Sequence, residues 1–144
     1  DSFGDKNTST VTIGGVSGKF SVFTVPEDTT PDIFTFSDVN DVNKSATPTV
    51  ESNQVTINGI NTPVLVSVSG GFYKIDGGSF TDEDSNITNA QSITLKAVPS
   101  DDYEATTTVT LRVGDVVATF NVTTMSDPFV PDTTPNEFSF DTLL

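Results

Sequence analysis

Short runs in which apolar and polar residues alternate recur along the chain, the period of strands that turn one face to a core and the other to water. Between residues 27 and 127 the apolar members are Phe34 and Phe36, then Val55 and Ile57, then Val64, Val66 and Val68. Ile93, Leu95 and Ala97 follow, then Val109, Leu111 and Val113, and last Val116, Ala118, Phe120 and Val122. These residues are the predicted core. Between the third and fourth runs lies Phe72 to Phe80, where Asp76-Gly77-Gly78 supplies the positive φ angles of a tight turn, so a surface hairpin is predicted there. No segment keeps a helical period. Short strands about ten residues apart, separated by turn chemistry, predict an all-β fold: an Ig-like Greek-key β-sandwich of about seven antiparallel strands.

Comparison of the chain with itself adds a repeat. Asp28-Thr29-Thr30-Pro31 with Phe34 and Phe36 returns as Asp132-Thr133-Thr134-Pro135 with Phe138 and Phe140, 104 residues later. The stretch from Thr8 to Thr24 returns as Thr106 to Thr124, read here with two extra residues in the second turn. Two matches in consistent order imply a tandem array. Residues 1–26 are then expected to be the closing hairpin of a preceding repeat, 27–127 one complete Ig-like repeat, and 128–144 a linker with the first strand of the next. Prolines crowd both junctions, Pro26 and Pro31 at one and Pro128, Pro131 and Pro135 at the other. They stiffen extended chain by fixing φ, which favours a stalk or spacer.

Composition then narrows the chemistry. With 144 residues, a core can be buried without metals or disulfides. Twenty acidic against six basic residues leave a net charge of −14, which repels a phosphate backbone and an anionic bilayer alike, so neither nucleic acid nor membrane insertion is expected. No long apolar run is present, and the polar start of the sequence reads as the interior of a longer or processed chain. Cysteine is absent, which removes disulfides and thiolate chemistry without fixing the compartment.

Histidine is absent too, which excludes Ser-His-Asp machinery and histidine metal sites. Paired carboxylates alone can hydrolyse a glycoside, but the acids sit in turns and no Trp platform exists for a sugar, so the chain is not expected to be an enzyme. Gly70-Gly71 and Gly77-Gly78 lead into no helix and no GxxxxGK pattern, and read as turns. Calcium is the sharper candidate, since loop carboxylates are the ligands it prefers. Asp101, Asp102, Asp28 and Asp132 are the leading positions, with further acids at Asp38 and Asp41 and at Asp82-Glu83-Asp84. The plainer reading is that these are solvated turn formers, and no cofactor is required. Tyr73, with Phe72 and Phe80, is read either as a ligand contact or, preferably, as packing over a sandwich end.

The Asp-Thr-Thr-Pro-Asp opening with its Phe-Thr-Phe segment, Val55 to Ile60, Ser67 to Thr81, Ser92 to Val98 and the Thr106 to Thr124 close together resemble the Ig-like domains repeated many times in large bacterial surface and adhesin-like proteins. The resemblance implies an extracellular or cell-surface scaffold and supplies no catalytic residues. A structural or adhesive repeat module is thus the expected function, with neighbouring repeats or copies of itself as partners. The alternatives are a filament subunit assembled by β-strand addition and a module that binds carbohydrate, such as surface glycans.

Overall fold

The computed structural model describes residues 2–44, 49–129, 131, 133–137 and 139, and its ordered elements are all strands. Eleven follow in chain order: β1 (Lys6–Ile13), β2 (Val16–Phe23), β3 (Val39–Val42), β4 (Val50–Glu51), β5 (Val55–Thr56) and β6 (Val64–Ser69). Then come β7 (Phe72–Ile75), β8 (Ser85–Ile87), β9 (Ser92–Ala97), β10 (Thr106–Val113) and β11 (Val116–Thr124). Among the described residues there is no helix long and apolar enough to cross a membrane.

β3 to β11 form a two-sheet sandwich. One sheet has the order β3-β11-β10-β6-β8, and the other runs β4-β9-β5 with β7 also on β9. The chain changes sheet at most connections, so β6, β10 and β11 lie together on one side and β5, β9 and β7 on the other. That is the division of strands found in immunoglobulin-type Greek keys. The antiparallel expectation needs one correction, because β3 pairs with β11 in parallel, Val122 opposite Val39 and Thr124 opposite Val42.

The predicted core faces inward. Ile57, Val66, Ile93, Leu95, Ala97, Val109, Leu111, Val113, Phe120 and Val122 are fully buried, and Phe34, Phe36, Val64 and Ala118 nearly so. Val55, Val68 and Val116 are half-buried against them. Phe34 and Phe36 do so without a strand: their segment joins no ladder, yet their rings meet edge to face, centroids 6.1 Å apart. The predicted hairpin forms, Tyr73 and Thr81 exchanging backbone hydrogen bonds at 2.9 Å, but it is not confined to the surface. Asp76 and Gly77 do form a two-residue turn, with φ of 48° and 74° and Gly78 donating to the Ile75 carbonyl at 2.9 Å. Yet β7 pairs along β9, and Tyr73 is buried in the core, its hydroxyl donating to the Glu83 carbonyl at 2.8 Å.

The passage from β6 to β7 explains one glycine pair. A Cβ on Gly71 would stand 2.5 Å from the Lys96 carbonyl and 2.5 Å from a Val109 methyl, and one on Gly70 would collide with the Thr108 carbonyl. Only bare backbone can thread from one sheet to the other here. Gly71→Ala is therefore expected to cost about 2–4 kcal/mol by overpacking. Gly77→Ala, with open space around it but φ of 74°, should cost only about 1–2 kcal/mol. Urea unfolding midpoints of the two variants check the order.

Candidate functional site

The first hairpin, β1 and β2, stands apart from the sandwich: the two strands pair with each other and with no sandwich strand among the described residues. Its geometry repeats that of β10 and β11. Val11 pairs with Gly18 and Ile13 with Val16, as Leu111 pairs with Ala118 and Val113 with Val116, a constant offset of 100. Both turns hold two residues, Gly14-Gly15 and Gly114-Asp115, so the two extra residues read from the sequence do not exist. The four-residue difference between the two repeat offsets, 100 and 104, falls instead between Thr124 and Asp132.

The likeness extends to the base of the hairpin, hydrogen bond by hydrogen bond. The Thr24 hydroxyl donates to the Ser2 carbonyl at 2.7 Å and accepts from the Asp5 amide at 2.7 Å; the Thr124 hydroxyl donates to the Asp102 carbonyl at 2.7 Å and accepts from the Ala105 amide at 2.9 Å. Gly4 donates to Val25 and Glu104 to Met125, both at 3.1 Å, from backbones of positive φ. Burial is where the hairpins part. Phe120 and Leu111 are fully buried, while Phe20 is 68% and Val11 60% exposed. Ile13, Val16 and Val22 complete this exposed apolar face. By strand alternation, Thr8, Thr10, Thr12, Ser17 and Ser21 belong to the opposite, polar face.

Between hairpin and sandwich runs a short connection that the sandwich grips. Asn61 receives the Asp28 amide on its side-chain oxygen at 2.8 Å and donates its side-chain amide to the Pro26 carbonyl at 2.8 Å. Its own backbone amide donates to the Asp28 carbonyl at 3.0 Å. The Asp32 amide reaches the Asn58 carbonyl at 2.8 Å, and Pro31 is buried. Gly59 and Gly114 permit the close approach: a Cβ would meet the Asp32 amide nitrogen at 2.9 Å from one and the Thr29 carbonyl at 2.9 Å from the other.

Further on, Asp38 clasps β11. Its carboxylate accepts the Asn121 amide at 2.9 Å and the Asn121 side-chain amide at 3.1 Å. The first of these bonds, with the second adding to it, holds the Asp38 carboxyl below the ordinary range. Asp76 is held low in the same way, first by the Ser92 amide at 2.8 Å and then by the Gln91 side-chain amide at 2.8 Å. Asn61, Asp38 and Asp76 carry no signal of these roles in sequence, because each partner lies far along the chain.

The acids proposed for calcium are placed as follows. Asp28 accepts from the Thr30 amide at 3.1 Å in a local turn, and the Asp102 carbonyl receives the Thr124 hydroxyl. Asp101 and Asp102 are exposed neighbours in the loop before β10, while Asp132 lies outside the described residues, as do Phe138 and Phe140. Among the described residues no group of three or more acids is gathered as a metal site, so calcium keeps only the motive read from the sequence. Near the predicted hairpin, Phe72 and Phe80 carry lysines on their rings: Lys96 lies 4.8 Å from one centroid and 4.4 Å from the other, and Lys74 lies 4.5 Å from that of Phe80.

No family model matches the chain, and no curated protein matches it. Solved structures that it resembles include domains 4 and 5 of the S-layer protein SbsC, at 16% identity and a TM-score of 0.44, covering 83% of this chain and 58% of that one. A structure of domains 4–9 of the surface layer protein SbsC is similar at 15% identity and a TM-score of 0.40, covering 89% of this chain and 19% of that one. The chain thus spans less than two thirds of either.

Two expectations follow. Phe120→Ala should destabilise the sandwich by about 3–5 kcal/mol, whereas Phe20→Ala, its counterpart in the exposed hairpin, should change stability by less than about 0.5 kcal/mol. Chemical denaturation of both variants measures the contrast. Since Asp38 and Asp76 have folded pKa values below the unfolded one, their contribution is complete above about pH 4 and is lost as pH falls through the lowered values. Asp38→Asn and Asp76→Asn should therefore be less stable at pH 7 and flatter in stability between about pH 5 and 2, as read by urea titrations across that range.

Proposed function

We propose that this chain carries a mechanical spacer unit of an extracellular, surface-exposed protein built from tandem sandwiches, and that it works without catalysis. The acidic, Thr-rich and cysteine-free composition and the resemblance to bacterial Ig-like repeats support the setting. The observation that carries the mechanical role is the parallel pairing of β3, the first sandwich strand, with β11, the last. Tension applied through the chain pulls the start of β3 and the end of β11 in opposite directions along neighbouring strands that run the same way. The ladder is then loaded in shear, so its bonds must fail together instead of opening one at a time.

Side chains reinforce that ladder. Asp38 holds Asn121 just before the pairing begins, and the Met125 amide donates to the Val42 carbonyl at 2.9 Å just past its end. At the other junction the Asn61 contacts keep residues 26–32 on the sandwich, which removes slack between units. Forced unfolding is governed by the unfolding rate, so what matters is the barrier these contacts set.

Pulling the chain from its two ends in single-molecule force spectroscopy tests the reading. The sandwich should open in one cooperative event, and Asp38→Ala should speed forced unfolding measurably at a given force. Gradual opening at low force, unaffected by Asp38→Ala, would sink the spacer role.

A further inference from the structure

The geometry points to the apolar face of β1 and β2 as the missing half of another core, whose other half is a sandwich unit of this same fold joined ahead of residue 2. That occupant is read from the chain's own second hairpin. β10 and β11 present the same face in the same register, and there it is covered by β6 on the β10 edge, β3 on the β11 edge and the inward residues of the opposite sheet. Shifted by 100, the β6 contacts of Thr110 and Val113 fall on Thr10 and Ile13, and the β3 contact of Val122 falls on Val22.

An open groove marks where the end of a β3 counterpart fits. Ser2, Phe3, Phe23, Thr24 and Val25 line a hollow of about 640 Å³. The residues 100 further on are Asp102, Tyr103, Thr123, Thr124 and Met125, and of these Thr124 and Met125 meet the end of β3 while Tyr103 meets Lys44 just beyond it. There the Val42 carbonyl accepts the Met125 amide at 2.9 Å, and Lys44 lies 4.2 Å from the Tyr103 ring centroid. Phe3 and Val25, 49% and 69% exposed, wait for the same partners.

The covering unit is not a simple copy of residues 28–101. Ser9, Val11 and Gly18 stand where the sandwich uses Val109, Leu111 and Ala118, while Ile13 replaces Val113. A complement that packs without voids must therefore carry bulkier groups above the middle of the hairpin, which makes it selective for its own neighbour. This rests on the tandem reading above but not on the mechanical role.

A hybrid chain tests it: residues 28–101 placed directly before residues 2–144, so that β1 and β2 follow the added segment as β10 and β11 follow the native one. A second hybrid also carries Ser9→Val, Val11→Leu and Gly18→Ala, which refill the core positions. Hydrogen exchange of the β1 and β2 amides should slow by at least about 100-fold in the second hybrid relative to the unmodified chain, and by less in the first. Exchange unchanged in both hybrids, or failure of both to fold the added segment, would overturn the proposal. So would concentration-dependent protection of β1 and β2 in the unmodified chain with dimers in sedimentation, which would give the face to a second copy. A hybrid that closes while the chain opens at low force would refute the spacer alone.

Discussion

A two-stranded ribbon with one apolar face has nothing of its own to bury that face against, and an isolated hairpin is at best marginally stable in water. Everything in the sandwich answers that constraint on behalf of β10 and β11. β6 and β3 extend the ribbon on its two edges, the opposite sheet closes over Leu111, Ala118, Phe120 and Val122, and the Phe34–Phe36 pair joins the same core. The first hairpin meets the same constraint with none of these elements around it. Equal backbones with opposite burial make tertiary context, and not local propensity, the source of order in this fold.

The core was readable because alternation records which side chains face inward, whatever the backbone does. Phe34 and Phe36 show the distinction: they alternate and are buried, yet their segment pairs with nothing in a ladder. Where alternation fails, residues were missed. β3 carries Val39 and Val42 three apart because the pairing shifts between them, with Asp41 at φ of 58°. Ile87 lies on a three-residue strand, and Ile60 follows a turn at Gly59, so neither has room to show a period. Tyr73 sits in a run with Phe72 and Ile75 that suits a surface hairpin as well as a core strand.

The likeness between the two hairpins was legible in outline and misread in detail. Runs of threonine align almost equally well at two offsets, and only cross-strand register distinguishes them. The junction was legible through its prolines but not through Asn61, whose contacts span 33 and 35 residues of sequence. A single asparagine in a loop has no local mark that sets it apart from its neighbours. Gly70 and Gly71 read correctly as a turn, though the reason they must be glycine is crowding by the strands on either side.

The lysines lying on aromatic rings bear on how the whole surface meets solvent. Lys6, Lys44, Lys74 and Lys96 each sit within 5.4 Å of a ring centroid, Lys74 also pairing with Glu51 at 3.0 Å, and six basic residues are too few to neutralise twenty acidic ones. A string of such units, the array proposed above, would behave as a polyanion wrapped in mobile counterions. Its segments push one another apart when salt is dilute, over a range of about 10 Å at 0.1 M. Straightness of that proposed array would then be set partly by the ionic strength of the medium, as much as by any bond within the fold.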